Sequence, residues 1–198
     1  MTAAGFDEDR WKRELDDYAA RWPGEAATVQ AFGELLKAGD ADGDRWRRER
    51  RNGHFTGSAF VVSADGQRTL LLHHRKLGRW LQPGGHADGE RELAAVALRE
   101  AEEETGLSGL VVDPRIFDLD RHPIPARGDE PEHWHYDVRF VVRAAGGEAF
   151  RANAESLALA WQPIREVATR PAFEASLRRM ARKWLMAGTY TVKRDVHR

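Results

Sequence analysis

The chain of 198 residues has no cysteine, which excludes disulfide bridges, thiolate nucleophiles, zinc-thiolate sites and iron-sulfur clusters in one step. Any metal must therefore sit on oxygen or imidazole. It has no apolar run of about 18 residues, the length a membrane-spanning helix needs. The first ten residues, Met1 to Arg10, lack the basic start and apolar stretch of a secretory signal, so the cytoplasm is the expected compartment. Net charge is almost absent, at −1 from 31 basic and 32 acidic residues, and the balance calls for neither a nucleic acid polymer nor an anionic membrane as partner. Lysine is scarce beside arginine, being confined to Lys12, Lys37, Lys76, Lys183 and Lys193. That bias carries no functional meaning by itself.

What is present is the composition of a soluble globular chain, with 41% hydrophobic and 32% charged residues, enough for one substantial core. Trp11, Leu15, Tyr18, Ala19 and Trp22 fall at helical spacing. Pro23-Gly24 breaks the pattern, and Val29, Phe32, Leu35 and Leu36 resume it. Residues 1–52 thus read as a helical extension ending in a polar linker from Gly39 to Asn52, and 53–198 as the main domain. Strands are expected at His54 to Val62, Thr69 to Leu72, Leu110 to Val112, Ile116 to Leu119, Trp134 to Val142 and Leu157 to Trp161. A helix is expected from about Glu90 to Thr105 with Gly106 as its stop, and another carries Phe173, Leu177, Met180, Ala181 and Trp184 on one stripe. Hairpin-like connections between mixed elements point to a mixed sheet covered by helices.

The chemistry concentrates on the middle helix. Glu100 lies three and four positions before Glu103 and Glu104, so three carboxylates share a face where like charges repel. Two readings are open: a solvated acidic face, or a seat for a hard divalent cation such as Mg²⁺ or Mn²⁺, which takes oxygen ligands and bridges to phosphates. The Pro83-Gly84-Gly85 turn ahead of the helix would let a backbone carbonyl approach the same ion, with Gly84 the favoured position.

The segment Gly84 to Leu107 resembles the signature of the Nudix hydrolases. Its second half matches as Arg99, Glu100, Ala101, Glu102, Glu103, Glu104, Thr105, Gly106 and Leu107, with alanine in the first aliphatic place. The first half departs by one residue. Counting from Gly85 puts Arg91 where the early glutamate belongs, whereas counting from Gly84 puts Glu90 there and leaves eight residues before Arg99. A shorter loop and a longer helix would absorb the slip. The resemblance implies an α/β/α sandwich with a mixed sheet, carrying here an N-terminal helical extension. It implies metal-dependent hydrolysis of a diphosphate linkage in a nucleoside-diphosphate-linked or related small molecule. Glu100, Glu103 and Glu104 would be the metal ligands and Arg99 an orienting residue. Glu155, six residues before Trp161, matches a further family glutamate, so either Glu103 or Glu155 would be the base. The rival reading is a Nudix-fold protein that senses a nucleotide-like ligand without hydrolysing it, its N-terminal helices serving as a partner-binding or homodimer surface.

Other signals are weaker. Arg75 and Lys76 follow the second strand and read equally as phosphate contacts or as a solvent-facing turn. Trp80 and Trp134 read as base-stacking surfaces or as core. Arg121 to Glu132, with three prolines, reads as a long loop that selects substrate. Asp40, Asp42 and Asp44 mimic a calcium loop, but Arg45 and Arg51 stand where its glycine and bidentate glutamate belong. His73-His74 and His133 with His135 lack a third partner in sequence and read as strand or surface positions.

Overall fold

The computed structural model describes residues 8–38, 42–75, 77–128, 130–151 and 156–186. Its elements are α1 (Glu8–Arg21), α2 (Ala26–Lys37), β1 (His54–Val62), β2 (Arg68–His74), β3 (Arg79–Leu81), β4 (Gly84–His86), α3 (Leu93–Thr105), β5 (Leu110–Val112), β6 (Asp118–Ile124), β7 (His133–Ala144), β8 (Ser156–Pro163), α4 (Ile164–Thr169) and α5 (Ala175–Met186). The strands follow the order β3-β2-β1-β7-β5, with β4 also on β1, β6 on β7 and β8 on β2.

The chain folds as two compact units, Met1–Ser58 with Gly84–Ala97 and Pro114–Phe140, and Ala59–Pro83 with Leu98–Asp113 and Val141–Arg198. In the first unit the N-terminal helices bury the stripe predicted for them. Trp11, Leu15, Tyr18, Phe32 and Leu35 are buried. Trp46 stacks on Phe55 at 4.5 Å between ring centroids and meets Trp11 at 5.5 Å, while Phe32 meets Tyr136 edge-on at 5.4 Å. Removing these aromatic faces from water is the main force holding α1 and α2 in place. The polar stretch 42–52 is consequently no solvated linker: Trp46 and Arg50 are buried in it, Arg50 donating to Gly53 O at 2.7 Å. The strand β6 runs to Ile124, so the residues read as the start of a loop, Arg121 to Ile124, are paired with β7, Pro123 opposite Trp134. Proline is tolerated there because one strand edge asks nothing of its missing N–H.

In the second unit β2 lies between β3 and β8, with registers such as Leu72↔Leu81 and Leu70↔Trp161. Leu177, Met180 and Ala181 of α5 are fully buried. Trp184 packs near Phe60 and its indole N–H donates to Gly66 O at 3.0 Å. The short strands β3 and β4 and the helix α4 were not legible as elements from periodicity, each spanning too few residues to show one.

Candidate active site

Helix α3 starts at Leu93 rather than at Glu90. Asp88 and Gly89 have positive φ values of 51° and 93°, and the Glu90 carboxylate accepts from the Arg91 and Glu92 backbone N–H groups at 2.7 and 2.9 Å. Glu90 therefore satisfies amides just ahead of the helix rather than forming its first turn. Glu90 thus lies in this turn, and the helix is shorter than expected, not longer.

Leu93, Val96, Ala97, Ala101 and Thr105 form the buried stripe of α3. Its first turns sit so close to β1 that a Cβ at Gly57 would come within 2.9 Å of Leu93 O and 3.0 Å of Val96 Cβ, so only glycine admits this approach. The C-terminus stops as predicted: Gly106 has φ 64° and its N–H donates to Glu102 O at 2.9 Å, a left-handed C-cap. The Thr105 hydroxyl bonds Ala101 O and accepts from the Leu107 N–H, which fixes the last turn.

This packing sorts the glutamates. Glu100 and Glu104, four residues apart, are half-buried beside the core stripe, whereas Glu102 and Glu103 are exposed. Arg99 Nη2 donates to Glu100 Oε1 at 3.0 Å, and the Glu100 side chain is only 18% exposed against 44% for Arg99. Two half-buried carboxylates one turn apart repel, and an all-oxygen donor set of this kind suits a hard divalent cation. The ligand oxygens of Glu100, Glu103 and Glu104 do not gather into one cluster. Among the described residues, the group of three whose ligand atoms all lie within 4.8 Å of one another is His54, His133 and His135.

The other predicted site residues fall as follows. Gly84 opens β4 opposite Ser58, where a Cβ would collide with Ser58 Oγ and come within 2.8 Å of Ser58 Cβ. Arg75 is exposed in the turn after β2, and Lys76 and Glu155 lie outside the described residues. Trp80 is half-buried against His73 at 5.2 Å, and one face of Trp134 carries the Arg121 guanidinium at 3.9 Å. Sequence reasoning missed His54, which supplies the third partner that His133 and His135 lacked. The available signal was the i, i+2 spacing of the pair, which puts both on one face of a strand.

A NUDIX domain model matches residues 54–184. The chain belongs to the Nudix hydrolase family. A Mycobacterium tuberculosis protein carrying the name of a candidate 8-oxo-dGTP diphosphatase is 31% identical over 156 residues, covering 70% of this chain and 69% of its own. A Streptomyces rubellomurinus protein named CMP-5'-(N-acetyl-N-hydroxy-3-aminopropyl)phosphonate hydrolase is 34% identical over 158 residues, covering 75% and 72%. Among solved structures, a Caenorhabditis elegans Ap4A hydrolase superposes with a TM-score of 0.54 at 18% identity, over 68% of this chain and 98% of that one. At that identity the likeness speaks for the Nudix fold. No described helix of this Nudix chain is long and apolar enough to cross a membrane.

Proposed function

We propose that this Nudix protein hydrolyses a diphosphate linkage in a nucleoside-diphosphate-linked or related small molecule, dependent on Mg²⁺ or Mn²⁺ held by Glu100, Glu103 and Glu104. The observation that carries the reading is the pair Glu100 and Glu104, half-buried one turn apart within the family signature, with Arg99 bonded to the first. A bound divalent cation supplies charge neutralisation of the diphosphate and a more acidic water. The remaining work falls to the chain. Glu103, exposed on the same helix, accepts the proton as water oxygen attacks phosphorus and the bridging P–O bond breaks, the released phosphate leaving with that electron pair; Glu155 is the alternative acceptor. Arg99 is a positioning residue that holds the Glu100 carboxylate. Arg75 and Lys76 meet substrate phosphate charge. The names of the two relatives support a nucleotide leaving group. The test is a panel of nucleoside triphosphates, dinucleoside polyphosphates and nucleotide-linked phosphonates and sugars with Mg²⁺ or Mn²⁺. Release of a nucleoside phosphate from one class, abolished by chelator, is the expected result; no turnover anywhere in the panel contradicts the reading.

A further inference from the structure

Five of the chain's eight histidines converge in the first unit. His54 opens β1, His86 closes β4, His122 lies on β6 and His133 and His135 open β7. The His135 ring stands 4.9 Å from His54, 5.0 Å from His86, 5.2 Å from His133 and 5.5 Å from His122, centroid to centroid. Nothing in the diphosphate chemistry uses these rings. From their geometry we propose a second metal site, in which His54, His133 and His135 bind a borderline transition-metal cation of the Zn²⁺ class, chemically distinct from the carboxylate site on α3.

Three observations carry it. The first is spacing. The three candidate ligand nitrogens lie within 4.8 Å of one another, and His133 Nε2 is 3.3 Å from His135 Nε2. Zinc-imidazole bonds of about 2.0–2.1 Å in a tetrahedral site put neighbouring ligand atoms about 3.3 Å apart. One edge is already formed, and a small closure of His54 completes the face.

The second is orientation. His133 Nδ1 is 2.9 Å from Pro131 O, so that nitrogen carries the proton and donates, leaving the Nε2 lone pair directed elsewhere. His54 Nδ1 stands in the same relation to Arg50 O at 3.5 Å, and His54 Nε2 is buried without a hydrogen-bond partner although the residue is fully inaccessible. Histidines that ligate metals are oriented in this way, by a backbone carbonyl on the far nitrogen. A buried ring nitrogen with no partner is costly in a core of hydrogen-bonded neighbours, and a cation removes that cost.

The third is access. A cavity of about 340 Å³ lined by Arg48, Arg50, Arg51, Glu130 and His133 provides a route in. Its arginines are partly neutralised, Arg48 by Asp88 at 2.7 Å and Arg50 by Asp42 at 3.8 Å. Glu130, half-exposed on that cavity and 3.8 Å from His133 Nε2, is placed to draw the cation in or to complete its coordination. Imidazole donors select against Mg²⁺, which demands oxygen and dehydrates reluctantly, so the two sites separate by ligand chemistry alone.

The test uses the full chain, stripped with chelator, dialysed, and kept in saturating Mg²⁺. Titrated with Zn²⁺, and with Co²⁺ for its visible absorption, it is expected to bind one equivalent, raise its melting temperature and develop the band of imidazole-ligated Co²⁺. His135→Gln and His133→Gln are expected to lower Zn²⁺ affinity at least about tenfold and to remove the Co²⁺ band. His74→Gln, outside the cluster, reports adventitious surface binding, and Glu104→Gln reports binding at the carboxylates. Stoichiometric Zn²⁺ uptake unchanged in both His133 and His135 variants, uptake lost in Glu104→Gln, or no uptake by the parent protein each overturns the proposal. The circular dichroism of each variant checks that it is folded.

Discussion

Arg139 is the cation of a buried ionic network, and its removal has a calculable cost. Its Nε donates to Asp137 Oδ2 at 2.6 Å, Nη1 to Asp118 Oδ2 at 3.1 Å, and Nη2 lies 3.2 Å from Asp120 Oδ2. The other Asp137 oxygen accepts from the Thr56 and Ser58 hydroxyls at 2.9 and 2.8 Å. Arg139 is 2% exposed, Asp137 2% and Asp118 0%, so water cannot replace the guanidinium. Burial works against the charge on Arg139, but the three carboxylates outweigh it and push its pKa up. Arg139→Met keeps the unbranched stem and removes the cation that the carboxylates share. Breaking a buried pair by removing one partner costs about 3–5 kcal/mol. For a chain of this size that is a fall in melting temperature of about 6–20 °C. Losing the cation disfavours the charged form of the carboxylates around it, so the deficit is expected to shrink as pH falls. Urea unfolding at pH 7 and pH 5 measures both effects. A loss under about 1 kcal/mol at pH 7, or a loss identical at the two pH values, would refute the reasoning.

Three further outcomes follow from the packing. Gly84→Ala is expected to cost about 1–3 kcal/mol in denaturant melts, because the colliding Ser58 hydroxyl is held by Asp137; Ser58→Ala in the same chain should recover part of it. Burial, then the charges of Asp118 and Glu25, pushes the Tyr18 phenol up. Its contribution is therefore fully present below the unfolded pKa of about 10 and lost above it, by up to about 1.4 kcal/mol per pH unit. Tyr18→Phe, melted at pH 9 and pH 11, should lack that component. A chain starting at Gly53 uncovers Phe55 and Tyr136, and should melt well below the full protein while binding more of a hydrophobic dye; an unchanged melt contradicts the packing described for α1, α2 and Trp46.

The long periodic elements were legible in the sequence because their burial depends on spacing. β1 and β5 fall at the expected residues, and α1, α2 and α5 bury the stripes read for them. Misreadings arose where a local signal competed with tertiary pairing. Three prolines made Arg121 to Glu132 look like loop, yet pairing with β7 carries β6 through Pro123. Charge made 39–52 look solvated, yet Trp46 anchors its described part under Trp11 and Phe55. The glutamates of α3 were legible as one face, but which of them are half-buried depends on how α3 packs. Of the histidine cluster only the His133 and His135 pair was legible, since strand order brings His54 to it from far along the chain.

The measurement closest to the central claim compares Glu103→Gln and Glu104→Gln with Glu102→Gln, using a confirmed diphosphate substrate at saturating Mg²⁺. All three substitutions preserve size and helix propensity while removing one charge. Glu103→Gln and Glu104→Gln are expected to reduce kcat by orders of magnitude, with folding stability nearly unchanged or raised as repulsion on α3 is relieved. Glu102→Gln, exposed and off that face, should turn over like the parent. Parent-like turnover in all three would make the acidic helix ordinary solvated surface and contradict the account.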